Sequence, residues 1–266
     1  MQRLSNEGYD TDKSEMLLRY YENYLRPLAD KDIRLLELGV YRGGSLLLWR
    51  DYFKNGTVVG VDVAPCQIED LTGRIFLYQG FQQDLEFLDK VGQETAPDGF
   101  DIIIDDASHM GELTGISFWH LFDNHLKPGG IYCIEDWRTG YWDDWVDGKK
   151  YRFLSHQHTF LEKVIARVLR HKRKFPSHLY GMVGLIKQLV DELGMDAITD
   201  PTHRFAGKPC YPKFRRMGIT PGQVFIVKAN DIDRNLMIAH RQKYWAKWKT
   251  EIPCPQTNQE VSNPSN

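Results

Sequence analysis

The sequence predicts an α/β protein with a doubly wound, mostly parallel sheet, and three observations carry that prediction. Short apolar runs alternate with stretches of helical spacing over residues 14 to 136. Each run closes on an acid or is followed by one: Glu37, Asp62, Asp105/Asp106 and Glu135/Asp136. The glycines Gly39, Gly43 and Gly44 come directly after the first run. Strands apolar on both faces belong in a parallel sheet covered by helices on both sides. Crossovers are right-handed, so such a sheet winds outward in two directions and opens a ligand crevice at the carboxyl ends of its strands. The acids fall at that crevice.

The elements follow in order. Asp12 with Glu15 reads as a capping box for a helix from about Ser14 to Leu25, whose Tyr20, Tyr21 and Tyr24 suggest packing against the main body. Residues 33–38 form the first expected strand and 45–53 a helix. Residues 57–61 form the second strand, 74–78 the third, 84–91 a helix and 100–104 the fourth strand. A helix over 111–126 is closed by the Lys127-Pro128-Gly129-Gly130 turn, and 131–134 form the fifth strand. Residues 153–172 and 181–193 read as helices. Phe214–Ile219 and Gln223–Lys228 flank a Thr220-Pro221-Gly222 turn too short for a parallel crossover, so they form an antiparallel hairpin. Residues 231–250 read as a last helix. The expected organisation is one domain over residues 1–252, with a helical insertion or lid at about 151–212 and a disordered tail over 253–266.

Composition narrows the function. With 266 residues, 42% apolar and 26% charged, the chain fits one large globular domain. A net charge of -2 provides no field for gripping a nucleic acid. The basic run Arg167 to Lys174 reads first as a solvated helix end and second as a contact for an anionic group or a membrane surface. Cys66, Cys133, Cys210 and Cys254 are scattered and suggest neither zinc nor a disulfide framework, and Cys133 lies in a core-like run. Neither a signal peptide nor a membrane span is expected, and a cytoplasmic enzyme fits.

The first turn, Glu37-Leu38-Gly39-Val40-Tyr41-Arg42-Gly43-Gly44-Ser45, has GxxxGG spacing rather than the GxGxxG of dinucleotide binders. Asp62, about 20 residues farther on, is placed to accept both hydroxyls of a ribose. A glycine loop with such an acid also serves nicotinamide enzymes, and turn glycines with a capping aspartate are the plain structural reading. A short-chain dehydrogenase would carry Tyr-x-x-x-Lys after the fourth strand, whereas Tyr9 and Lys13 precede the first.

The acids after the fourth strand, the Lys127-Pro128-Gly129-Gly130 turn and the terminal hairpin resemble class I S-adenosylmethionine-dependent methyltransferases. That likeness implies a seven-stranded Rossmann-like methyltransferase sheet with one reversed strand. Thr11-Asp12-Lys13-Ser14, Leu36 to Val40, Ser45 to Arg50, Asp101 to His109 and Ile131 to Trp142 resemble, more narrowly, the metal-dependent sugar O-methyltransferases of macrolide biosynthesis, of the mycinamicin and macrocin type. The resemblance covers roughly residues 8 to 230. It implies that the Thr11/Lys13 segment folds over S-adenosylmethionine and that Gln82 or Asp84 lies near the adenine. With the loop residues Glu37, Gly39, Tyr41, Gly43 and Ser45, and with Asp62 and Asp105, these make up the expected cofactor set. Two departures stand out: Gly80-Phe81-Gln82-Gln83-Asp84 replaces the family's Gly-Asp-Gln-Ser-Asp, and Ala107 replaces a glycine. The family's extra N-terminal domain is not expected, so its part in the acceptor site is not carried over.

Asp106, Glu135 and Asp136 end neighbouring strands. Carboxylates converging there repel unless a cation or protons intervene, and all-oxygen donors select a hard ion, Mg²⁺. The bland alternative is helix capping and surface pairing. Asp105 reads as a cap or as support for its neighbours. His109, three residues past Asp106, would share its side if a helical turn begins there and would serve as general base. Tyr141, Trp142 and Trp145 offer flat faces for a sugar ring or, equally, lid packing. The expected activity is methyl transfer to a hydroxyl of a sugar or glycosylated small molecule chelated as a vicinal diol, by a homo-oligomer. The alternatives are a metal-independent methyltransferase, a hydroxylase or oxidoreductase on this scaffold, a non-catalytic module, and a nucleic-acid methyltransferase.

Overall fold

The computed structural model describes residues 4–149, 178–199, 210–240 and 243. The chain divides into two compact units, one ending at Ala229 and one starting at Asn230. In the first unit the described elements are α1 (Glu15–Leu25), β1 (Arg34–Leu38), α2 (Gly44–Tyr52), β2 (Thr57–Asp62), β3 (Ile75–Gln79), α3 (Leu85–Thr95), β4 (Phe100–Asp105), α4 (Gly111–Asn124), β5 (Leu126–Glu135), α5 (Gly181–Leu193), β6 (Phe214–Ile219) and β7 (Gln223–Lys228). A helical turn, Met195–Ile198, follows α5. The second unit contributes α6 (Asp231–His240). The expected helix 153–172, the basic run 167–174, Cys254 and the tail 253–266 lie outside the described residues.

The strands form a seven-stranded sheet in the order β3-β2-β1-β4-β5-β7-β6. β1 pairs in parallel with β2 and β4, and β5 with β4, while β7 runs antiparallel to β5 and β6. This is the Rossmann-like methyltransferase sheet, with β7 reversed. Alternate residues of each inner strand feed two cores. Leu36, Leu38, Ile103, Tyr132 and Ile134 pack with α3, α4 and α5. Leu35, Val58, Ile102, Ile104 and Cys133 pack with α1 and α2. Burial on both faces is why these strands read as continuous apolar runs. Among the described residues no helix is long and apolar enough to cross a membrane.

Three local readings are corrected. The cap of α1 is Ser14, whose hydroxyl accepts from Leu17 N, and not Asp12, which stands too early in the chain to reach the first turn. α3 extends to Thr95, four residues past the expected end. The Lys127–Gly130 segment lies inside β5: Leu126 pairs with Phe100, the register then shifts, and Ile131 pairs with Ile102. The glycines are taken up by an irregularity within the strand.

Candidate active site at the carboxyl ends of the strands

Parity along the strands selects which acids meet. Glu37 shares the face of Leu35, Asp106 continues the face of Ile104, and Glu135 that of Cys133, so all three turn toward α1 and α2. The ammonium of Lys13, 2% exposed, sits among them. Nζ lies 2.8 Å from Asp106 Oδ2 and 3.1 Å from Glu37 Oε1, and also donates to Glu135 Oε1. The Tyr21 hydroxyl donates to the same Glu135 oxygen at 2.6 Å, and Ser45 Oγ donates to Glu37 Oε2 at 2.8 Å. Burial works against the Lys13 charge, but Asp106, Glu135 and Glu37 outweigh it and push its pKa well above the ordinary lysine value. Burial pushes Glu37 up, partly offset by Lys13. Burial, then the charge of Glu135, raises Asp106.

A second trio shares Asp106 and faces outward. One ligand atom each from Asp106, His109 and Asp136 lie within 4.8 Å of one another, with His109 Nε2 4.0 Å from Asp106 Oδ1. The expected helical turn at His109 is not there: α4 starts at Gly111, and His109 has a left-handed backbone with φ 51°. Its carbonyl is held by Trp145 Nε1 at 3.1 Å and Thr139 Oγ1 at 3.3 Å. Asp136 is also left-handed, φ 49°, with its N–H donated to Gly222 O at 2.7 Å. Burial raises the Asp136 carboxyl, while His109 opposes the shift. The third non-glycine residue of this kind among the described residues is Tyr41, φ 51°, in the loop after β1.

The glycine loop is fixed by close approach. A Cβ at Gly39 would stand 2.1 Å from the carbonyl oxygen of Asp106, and one at Gly44 would stand 2.0 Å from that of Asp10. The residue 10–13 segment thus lies on the start of α2. Thr11 Oγ1 accepts from Lys13 N at 3.3 Å. Gly43 is left-handed at φ 85° and caps α2. Asp62 receives the N–H groups of Val40 and Tyr41 on Oδ2, at 2.8 and 2.9 Å, so it braces this loop. Tyr41 is exposed.

Gln82, Asp84 and Asp105 each have partners within the protein. Asp105 is buried on the opposite face of the sheet, accepting from Ser117 at 2.8 Å and Tyr132 at 3.1 Å, and burial raises its pKa. It does not cap α4. Gln82 donates to Asp105 and Ser117 and accepts from Ser108 N at 3.0 Å, which steadies the loop carrying His109. Asp84 caps α3 through Phe87 N. Tyr141 and Trp142 are exposed at the end of a 3-10 turn, Trp137–Tyr141, that follows Asp136.

Sequence reasoning missed Tyr21 as the partner of Glu135. It also missed Asp147, whose Oδ2 accepts from Gly111 N at 3.0 Å and Met182 N at 2.8 Å and so caps α4 and α5 together. Tyr21 was visible only as an aromatic on an apolar face, and Asp147 had no local signal.

No family model matches the chain. The mycinamicin VI 2''-O-methyltransferase of Micromonospora griseorubida is 39% identical over 131 residues, 46% of this chain and 32% of that protein. The 8-demethyl-8-(2-methoxy-alpha-L-rhamnosyl)-tetracenomycin-C 3'-O-methyltransferase of Streptomyces olivaceus is 41% identical over 128 residues, with 46% and 32% covered. The chain thus matches about a third of the length of these curated relatives. Among solved structures, the MycE methyltransferase of the mycinamycin biosynthetic pathway, in complex with Mg and SAH, matches with a TM-score of 0.65 at 27% identity, over 86% of this chain and 55% of that one. By sequence and by fold, the chain resembles the sugar O-methyltransferases that act on glycosylated natural products.

Proposed function

We propose that the chain is an S-adenosylmethionine-dependent O-methyltransferase acting on a sugar hydroxyl of a glycosylated small molecule, with a magnesium ion and His109 as general base. One observation carries the reading. Tyr41, His109 and Asp136, the non-glycine residues with left-handed backbone among the described residues, follow β1, β4 and β5, three neighbouring strands, and border one crevice. Such conformations cost about 1–3 kcal/mol each, persist where the surroundings enforce them, and cluster at functional sites.

The residues present fit a hard divalent cation. Asp106 and Asp136 supply carboxylate oxygens beside His109. Glu135, whose Oε1 accepts from Lys13 and Tyr21, groups with Glu37 and Asp106 rather than with His109 and Asp136, so Asp106 is the acid common to both sets. When bound, S-adenosylmethionine supplies the methyl group, and magnesium lowers the pKa of two vicinal hydroxyls that it orients. Glu37, held by Ser45 and Lys13, and the Gly39–Ser45 loop shape the cofactor side, with Asp62 fixing the loop. His109 takes the proton of the acceptor hydroxyl, and the carbonyl contacts from Thr139 and Trp145 hold its backbone where the imidazole faces Asp106. Tyr141 and Trp142 supply exposed rings on which a sugar can stack.

The test is transfer of a labelled methyl group to the acceptors named for the relatives, mycinamicin VI and the rhamnosylated tetracenomycin, with the product located by mass fragmentation. Label on a sugar oxygen is expected. Label on the aglycone, or stabilisation of the chain by NAD and not by S-adenosylhomocysteine, would overturn the reading.

A further inference from the structure

Away from the crevice, two histidines and an aspartate converge at the other end of α4. His120, in the last turn of α4, and His125, which caps the helix, both direct Nε2 at the same oxygen, Asp89 Oδ1 on α3, at 2.8 and 2.6 Å. The imidazole centroids are 5.5 Å apart. The three ligand atoms all lie within 4.8 Å of one another.

Each residue is held in place. His125 donates its backbone N–H to Leu121 O. Its ring lies on Gly92 of α3, where a Cβ would stand 2.4 Å from Nδ1, so the glycine makes the room. Asn124 Nδ2 lies 3.4 Å from His120 Nδ1 and orients that ring from behind. The histidine side chains are 13% and 12% exposed and Asp89 is 43% exposed, so two largely covered imidazoles meet a carboxylate open to water.

We propose that Asp89, His120 and His125 form a binding site for a borderline divalent transition metal of the zinc class, which pins α3 to the C-terminal end of α4. Two imidazoles with one carboxylate favour this class over magnesium, and solvent completes the coordination. Bonds of about 2.0–2.1 Å place neighbouring donors about 3.3 Å apart, so Asp89 retreats by about 0.6 Å from its present contacts. Its exposure permits that movement. The site is separate from the acidic crevice and rests on none of the residues proposed for methyl transfer.

The experiment is a cobalt titration of the full chain in excess magnesium, added to compete for the carboxylate crevice, followed by visible absorption and thermal unfolding. Wild type is expected to show one equivalent of ligand-field bands and an unfolding temperature raised by several degrees at saturation. His120→Gln and His125→Gln are each expected to lose the bands and the shift, with affinity reduced at least tenfold. If either variant fails to fold, Asp89→Ala replaces it, because that side chain is the most exposed of the three. Absence of bands in wild type, or bands unchanged in the variants, overturns the site.

Discussion

The ammonium of Lys13 lies 2.8 Å from Oδ2 of Asp106, inside the sheet edge rather than above it. It neutralises a cluster that would otherwise hold three buried carboxylates, Glu37, Asp106 and Glu135, and it ties the N-terminal segment to the ends of β1, β4 and β5. Asp106 therefore has two environments: one oxygen faces the lysine, the other faces His109 and the open crevice. The N-terminal segment thus completes the acidic centre as well as covering it.

Lys13→Met should therefore destabilise strongly. Removing one partner from a buried ion pair leaves uncompensated charge and costs about 3–5 kcal/mol. Because the folded pKa of Lys13 is raised, its contribution is fully present below the unfolded lysine value and fades only as pH rises through the folded one. Urea unfolding at pH 7 should show the full loss. An unchanged midpoint would show that the ammonium is not buried in this way.

His109→Ala should lower turnover by about 10² to 10⁴ and leave binding of S-adenosylhomocysteine intact, as expected for a proton acceptor that does not hold the cofactor. Asp136→Ala should abolish a stoichiometric manganese signal in electron paramagnetic resonance, and excess EDTA should stop transfer. Full turnover in EDTA would remove the cation from the mechanism.

Much of this site was legible from strand parity and turn chemistry. Period-2 alternation puts Glu37, Asp106 and Glu135 on one face and Asp105 on the other, and the Thr220-Pro221-Gly222 turn dictates the hairpin. What escaped is tertiary. Lys13 and Tyr21 reach Glu135 across more than a hundred residues. The left-handed turns at His109 and Asp136 are imposed by Thr139, Trp145 and Gly222, not by local propensity. The cap that Asp84 makes on α3 and the contacts of Gln82 with Asp105 and Ser108 likewise escaped the sequence reading.

Asp147→Ala should cost about 1–2 kcal/mol, since one carboxylate caps both α4 and α5. The two helix starts touch at Gly111 and Gly181, so the loss should appear together at both ends. Hydrogen exchange at Gly111 and Met182 checks this, and acceleration at one site alone would contradict a shared cap.

Asp70 should set part of the acid limit of stability. Burial alone would raise its pKa, but hydrogen bonds from the Thr72 hydroxyl and N–H, the N–H groups of Arg74 and Ile75, and the Arg50 guanidinium hold it far below the ordinary value. A depressed carboxyl stabilises fully above its unfolded pKa of about 3.9 and loses that contribution as pH falls toward the folded value. Asp70→Asn should lower stability at pH 7 by about 2–4 kcal/mol and flatten the decline below pH 4. An acid limb as steep as that of wild type would place the titration elsewhere.

Gly44→Ala tests whether the N-terminal segment and the cofactor loop act as one body. Nothing in the helical conformation of residue 44 forbids alanine, and alanine favours a helix by about 1 kcal/mol over glycine. The added Cβ, however, would stand 2.0 Å from Asp10 O and 2.3 Å from its carbonyl carbon, so the backbone of the segment has to lift. Lifting it draws Lys13 away from Glu37 and Asp106. The variant should therefore keep its sheet, bind S-adenosylhomocysteine at least tenfold more weakly, and expose residues 8–13 to protease. Tight binding with an unprotected segment would show that the segment covers the loop without shaping it.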